Sequence, residues 1–383
     1  MDLFDLKINQ LVQSGRKRTL KVIDQYVANT QNSTCDKLIF CSNDYLGLSK
    51  NKEVIDAAKS ALLSFGTGSG ASRLVSGNSS LHQTLEEKFA TFVNKDAAVL
   101  FGSGYQANVG TISSITDKND IIFSDELSHA SIIDGCRLSK AQVVIYKHCD
   151  TAHLRELLKS NTTATGNRFI ITEGIFSMDG DQPPLKEICE LAEQFNALVY
   201  LDEAHSMGII GSNGAGLASR SGLTENVAFI VGTFGKAAGS AGAALACSRN
   251  CSEYLKSTAR SMIYSTAIPS YTCAASLTSL NIIEGAGLLR ERLFNNILFF
   301  KTAVKKHSLP LLDSDSPIQP VIIGDESETM NISQQLWNDG LFVQGIRPPT
   351  VKEGSSRLRI TITASHTQQE ITYLVDLLGK YIK

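Results

Sequence analysis

Lys236 stands in GTFGKAAGSAG (232–242), a lysine among glycines and alanines just past an apolar run. No carboxylate accompanies it locally. Burial of such an amine removes its hydration, lowers its pKa and makes it a Schiff-base candidate. A lysine in a solvated loop would look the same. LDEAHSMG (201–208) puts Asp202 and His205 at the end of another apolar run. A carboxylate there calls for a cation to meet it, or for a helix whose N-terminus it caps. His129 opens HASIIDG (129–135), either as a flat ring for a ligand or as a satisfied structural histidine. FGSGYQAN (101–108) follows an apolar run and opens a helical pattern. Backbone N–H groups at such a helix start can cup an anion such as phosphate; a plain tight turn is the alternative.

These segments need strands to position them. AAVLF (97–101), IIFSD (121–125), QVVIY (142–146), FIITE (169–173), ALVYLDE (197–203), AFIVGT (228–233) and AALAC (243–247) are short and nearly continuously apolar. Strands buried on both faces have that character. Helical patterns alternate with them. Leu81, Leu85, Phe89 and Phe92 share one stripe, and Ser80 with Gln83 has capping-box spacing. Pro184 suits the first turn of PLKEICELAEQF. The alternation predicts right-handed βαβ units in a mainly parallel sheet covered on both faces. Ligands of such sheets sit at the carboxyl ends of the strands. Elsewhere, residues 1–45 read as helix and then irregular chain, 252–306 as mostly helical, and 317–383 as short strands mixed with helices.

Composition excludes several classes. The chain has 383 residues, with 36 Lys plus Arg against 38 Asp plus Glu, a net charge of −2. With 43% apolar and 19% charged residues it is not mainly disordered. It also has no overall basic field for nucleic acid. MDLFDLKINQ carries charges where a signal peptide would be apolar, and no uncharged apolar run reaches membrane-spanning length. The eight cysteines (35, 41, 136, 149, 189, 247, 251 and 273) form no Cys-x-x-Cys pair, so free thiols in a reducing cytoplasm and no metal site are expected. FGTGSGA (65–71) lacks G-x-G-x-x-G spacing and a preceding strand, and GTFGK (232–236) is not a Walker A loop. Neither a G-x-S-x-G elbow nor an H-E-x-x-H motif occurs.

An anion cup, a strand-end Asp, a strand-end Lys and a flat ring are together the needs of pyridoxal phosphate. The chain also resembles the α-oxoamine synthases, pyridoxal-phosphate enzymes of fold type I, over essentially its whole length. SNDYLGLS (42–49), GTGSGASRLVSGN (66–78), the His82, Gln83 and LEE pattern of 82–87, SHASIIDG (128–135), TEGIFSMDGD (172–181), LDEAHSMGIIG (201–211), TFGKAAGSAGA (233–243), MIYSTAIP (262–269) and RLRITITASHT (357–367) look like blocks of that family. Ala243 is a mild departure, since many relatives carry glycine there. SPIQPVIIGDE (316–326) and GIRPPTVKEGSSRLR (345–359) resemble the branch that joins L-alanine to a pimeloyl thioester, on CoA or a carrier protein, on the way to biotin. Sister branches join glycine to a short acyl-CoA.

The resemblance implies an α/β fold of type I, with a large, mostly parallel seven-stranded sheet domain and a smaller α+β C-terminal domain. The expected division is an N-terminal segment (1–45) packing with the small domain, a large cofactor-binding domain (46–285) and the small domain (286–383). It implies that Lys236 forms the imine with the cofactor and acts as base. Asp202 would bond the pyridine nitrogen, His129 would stack on the ring, His205 would reach the ring hydroxyl and Ser177 would touch the cofactor. The backbone at Gly104 and Tyr105, together with Thr233 and with Thr266 of a neighbouring subunit, would hold the phosphate, so a homodimer is implied. Asn43 and Arg359 would hold the substrate carboxylate. RKRTLK (16–21) offers Arg18 as the family's N-terminal substrate arginine, with a solvated basic face as the other reading. Arg347, in IRPPTV, is the candidate for the far carboxylate of the acyl chain; a structural ion pair is the other reading. Two rivals stand beside this one: a glycine-using sister enzyme, and a non-catalytic subunit on the same fold. The latter typically lacks the imine lysine, which is present here.

Overall fold

The computed structural model describes residues 2–23, 37–161 and 166–382. Cys35 and positions 24–36 of the N-terminal segment lie outside them. The chain divides into two compact units. One comprises Met1–Ser42, Met178–Gly180 and Leu293–Lys383, the other Asn43–Ser177 and Asp181–Arg292.

The second unit is built on a seven-stranded sheet. Its strands are β1 (Ala97–Phe101), β2 (Ile121–Asp125), β3 (Gln142–Tyr146), β4 (Arg168–Glu173), β5 (Ala197–Asp202), β6 (Val227–Thr233) and β7 (Ala243–Cys247). Their order across the sheet is β1-β7-β6-β5-β4-β2-β3. β2 to β6 pair in parallel, and β7 runs antiparallel to both β1 and β6. All seven apolar runs are strands. The expectation of burial on both faces fails for β3. It pairs only with β2 at the sheet edge and leaves Val143 and Ile145 exposed. On the inner strands Ile122, Ile170, Val199, Val231 and Leu245 are buried, and so is Val99 on the opposite edge strand β1.

Two helix starts differ by one residue from their sequence signals. Ser79, not Ser80, caps the helix Ser80–Phe92, and His82 takes the place expected of Gln83. The His82 ring accepts the Ser79 N–H at 3.1 Å, doing with imidazole what a glutamine amide does in the common motif. Pro184 is the cap of the helix Leu185–Gln194 rather than its first residue.

The first unit contains the antiparallel sheet β9-β10-β8, made of β8 (Ile318–Gly324), β9 (Gln344–Ile346) and β10 (Ser356–Thr361). A short parallel pair, Leu38–Ile39 with Leu341–Phe342, ties the N-terminal chain into this unit. Among the described residues no helix is long and apolar enough to cross a membrane.

Candidate active site

The carboxyl ends of β4 and β5 bring three acids into the protein interior. Asp202 ends β5 and is only 5% exposed. Its Oδ2 accepts from Asn108 Nδ2 at 2.7 Å and its Oδ1 from the Ala204 N–H at 2.9 Å. Asn108 is oriented in turn by Tyr200, whose hydroxyl donates to it at 2.8 Å. Glu173 ends β4, and burial raises its pKa well above the ordinary carboxyl range, with Asp202 adding to the shift. It accepts the His129 N–H at 2.5 Å. Burial also raises the pKa of Glu203, which accepts the N–H groups of Leu217 and Ala218 at 2.9 and 2.8 Å.

His129 caps the helix Ala130–Leu138. Its Nδ1 accepts the Ser131 N–H at 3.2 Å and lies 2.7 Å from Ser131 Oγ, which fixes the ring plane. The ring is exposed, yet partial desolvation lowers its pKa; Asp202 opposes that shift and Lys236 reinforces it. His129, Asp202 and Lys236 therefore share one electrostatic neighbourhood.

Lys236 lies three residues beyond the end of β6 and is half-buried. Its carbonyl accepts the Gly239 N–H at 2.8 Å, which closes a turn. Gly239 has φ +60°, and a Cβ there would lie 2.1 Å from the Ser49 N atom. Only glycine lets the lysine turn pack on the Leu48–Ser49 backbone. The family-like blocks SNDYLGLS and TFGKAAGSAGA thus meet in space.

The expected anion cup is a helix N-terminus. Ser103 caps the helix Gly104–Ile115, accepting the Gln106 N–H at 3.2 Å. Thr233 flanks it: a Cβ built on Gly104 would lie 3.8 Å from the Thr233 Cβ. Tyr105 turns its side chain outward and donates to Asp134. Ala243, the departure from glycine, pairs with Phe101 and Thr233 and is fully buried.

His205 is buried, and its Nδ1 lies 2.6 Å from the Tyr45 hydroxyl, which also donates to Asn43 Oδ1 at 3.3 Å. Ser177 is half-buried beyond β4. Thr266 is exposed and forms an antiparallel backbone bridge with Ser72. Sequence reasoning did not single out Tyr45, Asn108, Ser131 or Glu173. Tyr45, Ser131 and Glu173 lie in family-like blocks and Asn108 in the anion-cup segment, but the partners of Tyr45 and Asn108 are 160 and 94 positions away.

The remaining candidates belong to the first unit. Arg357 and Arg359 are both buried on β10. Arg357 is ion-paired with Asp179, whereas Arg359 donates to Thr361 Oγ1 at 3.2 Å. Burial pushes the Cys41 thiol up to about 12, against the pull of Arg359 and Lys21. Arg18 donates to Thr350 Oγ1 at 3.3 Å, and Arg347 donates to the Lys17 carbonyl at 3.0 Å. Both line a groove of about 630 Å³ that carries Arg16, Lys17 and Lys21 as well, and no carboxylate. The structural ion pair considered for Arg347 has no partner among the described residues.

The family model described as aminotransferase class I and II matches residues 35–378. The 8-amino-7-oxononanoate synthase of Geotalea daltonii is 42% identical over 99% of this chain and 97% of its own. The chain belongs to the class I and II aminotransferase family. Two solved structures support the fold. A variant serine palmitoyltransferase from S. paucimobilis, with a bound PLP–myriocin aldimine, superposes with a TM-score of 0.90 at 30% identity, covering 100% of this chain and 98% of that one. The 8-amino-7-oxononanoate synthase of Francisella tularensis does so with a TM-score of 0.78 at 30% identity, covering 90% and 97%. The fold is therefore that of the type I pyridoxal-phosphate enzymes, as the strand pattern and the resemblance imply.

Proposed function

We propose that the protein catalyses the decarboxylative condensation of L-alanine with a pimeloyl thioester, giving 8-amino-7-oxononanoate, carbon dioxide and a free thiol. The observation that carries this reading is the 42% identity over 99% of the chain to an 8-amino-7-oxononanoate synthase, and the grouping of His129, Asp202 and Lys236 near the carboxyl ends of parallel strands supports its cofactor chemistry.

The residues suit pyridoxal phosphate. Asp202 is a buried carboxylate that accepts from two neutral donors. Such a group is stabilised by a cation, and a protonated pyridine nitrogen supplies one. The cofactor, when bound, provides an electron sink for bond cleavage at the amino acid's Cα. Asp202 would keep a proton on the ring nitrogen. Gly104 and Tyr105 offer backbone N–H groups, and Thr233 its hydroxyl, to the phosphate. His129 would stack on the ring, His205, held against Tyr45, would meet the ring hydroxyl, and Ser177 would contact the cofactor. Lys236 would hold the cofactor, and its amine would take the Cα proton and return one. Asn43 and Arg359 grip the alanine carboxylate and thereby select which Cα bond breaks. Arg18 and Arg347 hold the far carboxylate of the acyl chain.

A homodimer completes the reading, with Thr266 of the second copy reaching the phosphate. Leu74, Val75 and Tyr264 are 59%, 79% and 72% exposed near the Ser72–Thr266 bridge in sequence, an apolar set that a second copy would cover. The decisive assay supplies purified protein and pyridoxal phosphate with alanine or glycine and with pimeloyl- or acetyl-CoA. Product of the mass of 8-amino-7-oxononanoate from alanine and pimeloyl-CoA is expected. Preference for glycine with acetyl-CoA would move the protein to a sister branch, and colourless protein that takes up no cofactor would make it a binding subunit.

A further inference from the structure

His148 plays no part in the chemistry above, yet it joins the two loops that present His129 and Ser177. Asp125 ends β2, four residues before His129. Its Oδ1 accepts the Leu127 N–H at 2.9 Å, and its carbonyl accepts the Ser128 N–H at 3.1 Å. The loop leading to His129 is thus wound on Asp125. Four residues beyond Ser177, Asp181 accepts the Phe176 N–H at its carbonyl, 3.0 Å away. His148 bridges the two carboxylates. Its Nδ1 is 2.8 Å from Asp125 Oδ1 and its Nε2 is 2.7 Å from Asp181 Oδ2. Its ring also stands edge-on to Phe176, with centroids 4.4 Å apart. The Cys149 N–H donates to the second Asp125 oxygen at 2.9 Å, so that carboxylate is held on both sides.

Donor chemistry separates two readings of this cluster. Ligand atoms of Asp125, His148 and Cys149 lie within 4.8 Å of one another, a spacing that suits a metal ion. Ionised carboxylates only accept hydrogen bonds, however, so an imidazole between two of them carries a proton on each nitrogen. Burial disfavours that charge, but the bonds to Asp125 and Asp181 outweigh it and raise the His148 pKa to about 12. A doubly protonated ring has no lone pair to give a metal. Asp181 Oδ1 is buried without a hydrogen-bond partner among the described residues, so the charge of that carboxylate rests on His148.

We propose that Asp125, His148 and Asp181 form a charged brace that sets His129 and Ser177 in place over the cofactor ring, with His148 as a positioning residue. The inference rests on the cofactor roles given above to His129 and Ser177. A short, doubly hydrogen-bonded imidazolium suits the task because it fixes both loops with one rigid plane and needs no reorganisation during turnover.

The test uses His148→Gln and Asp181→Asn in the purified protein, read by amide hydrogen exchange, pyridoxal phosphate affinity and steady-state kinetics. His148→Gln should speed exchange at residues 126–131 and at 174–177 by at least about tenfold, as expected for losing charge-assisted hydrogen bonds. Exchange in the central strands should stay at the wild-type rate. Asp181→Asn should loosen 174–177 alone. Cofactor dissociation constants should rise about tenfold in His148→Gln, with kcat falling more than the KM for alanine changes. Equal acceleration throughout the sheet, or no change at either loop, would overturn the brace. So would stoichiometric zinc in the wild-type protein that His148→Gln abolishes. The exchange data do not depend on which reaction is catalysed, so they test the brace even if the alanine assay fails.

Discussion

At the ends of β4 and β5, three carboxyl groups are buried, and each is held by hydrogen bonds from fixed donors. Between residues 16 and 21 and around Arg347, the first unit gathers cations instead. Arg16, Lys17 and Arg18 are exposed, and their groove carries no carboxylate. The contrast separates two uses of charge. Oriented, desolvated groups act strongly on a developing charge because nothing must reorganise when the reaction occurs. Hydrated surface cations are screened by salt, so each contributes little. Such cations can hold a substrate charge only collectively. The first region is therefore suited to chemistry, and the second to recognising a charge.

The largest expected effect falls in the first region. Lys236→Ala should lower turnover by about a thousandfold or more, as removal of a positioned proton carrier does. Borohydride should then no longer fix pyridoxal phosphate to the chain, while the circular dichroism spectrum stays unchanged. Label on another lysine would break the assignment. Asp202→Ala comes next. At roughly 4 Å and an effective dielectric near 20, a carboxylate is worth about 4 kcal/mol to a pyridinium, or about three pKa units. Exchange of deuterium at alanine's Cα should slow by up to about a thousandfold, and the cofactor should be retained less well. Exchange at the wild-type rate would remove Asp202 from its role and weaken the contrast.

How far the sequence reveals these regions depends on how local each signal is. The seven strands are legible because a strand buried on both faces must be apolar along its length. The edge position of β3 is not, since QVVIY looks no different from its buried neighbours. Lys236, Asp202 and His129 stand out by type and by their place after strands. Their supports do not. Asn108 becomes meaningful only where the fold brings it to Asp202, and Glu173 only where it meets the His129 N–H. Arg347 and Lys17 meet across 330 positions, a proximity that no local pattern encodes. His148 sits in KHCD, a stretch with no motif, although both ring nitrogens are engaged.

Arg359 sharpens the comparison from inside the first unit, since it is buried where the groove cations are not. Arg357, its neighbour on β10, is ion-paired with Asp179, and Arg359 donates to Thr361 Oγ1. A guanidinium forms a bidentate fork that a lysine cannot copy. Arg359→Lys should raise the alanine dissociation constant 10- to 100-fold, about 1.4–3 kcal/mol. Titration of the cofactor's absorbance with alanine measures this, and an unchanged constant would remove Arg359 from the site.

Arg347 carries the smallest expected effect and the finest test of the groove. A pimeloyl chain ends in a carboxylate, and chain length alone discriminates poorly, because one methylene is worth only about 1–3 kcal/mol. A cation at the far end adds what length cannot. Arg347 is half-buried, donates to the Lys17 carbonyl, and faces no carboxylate among the described residues. A charged hydrogen bond lost with it is worth about 1.5–3 kcal/mol. Arg347→Ala should therefore lower kcat/KM for the pimeloyl thioester by about 10- to 100-fold and leave alanine affinity at its wild-type value. With an acyl chain of equal length ending in methyl, the same variant should lose little, since that chain offers the guanidinium nothing to hold. Equal losses on both chains would mean that Arg347 supports the fold of the groove rather than reading the far charge. Recognition would then fall to Arg18 and the exposed cations beside it, and raising the salt concentration should weaken pimeloyl selectivity more than it weakens alanine binding.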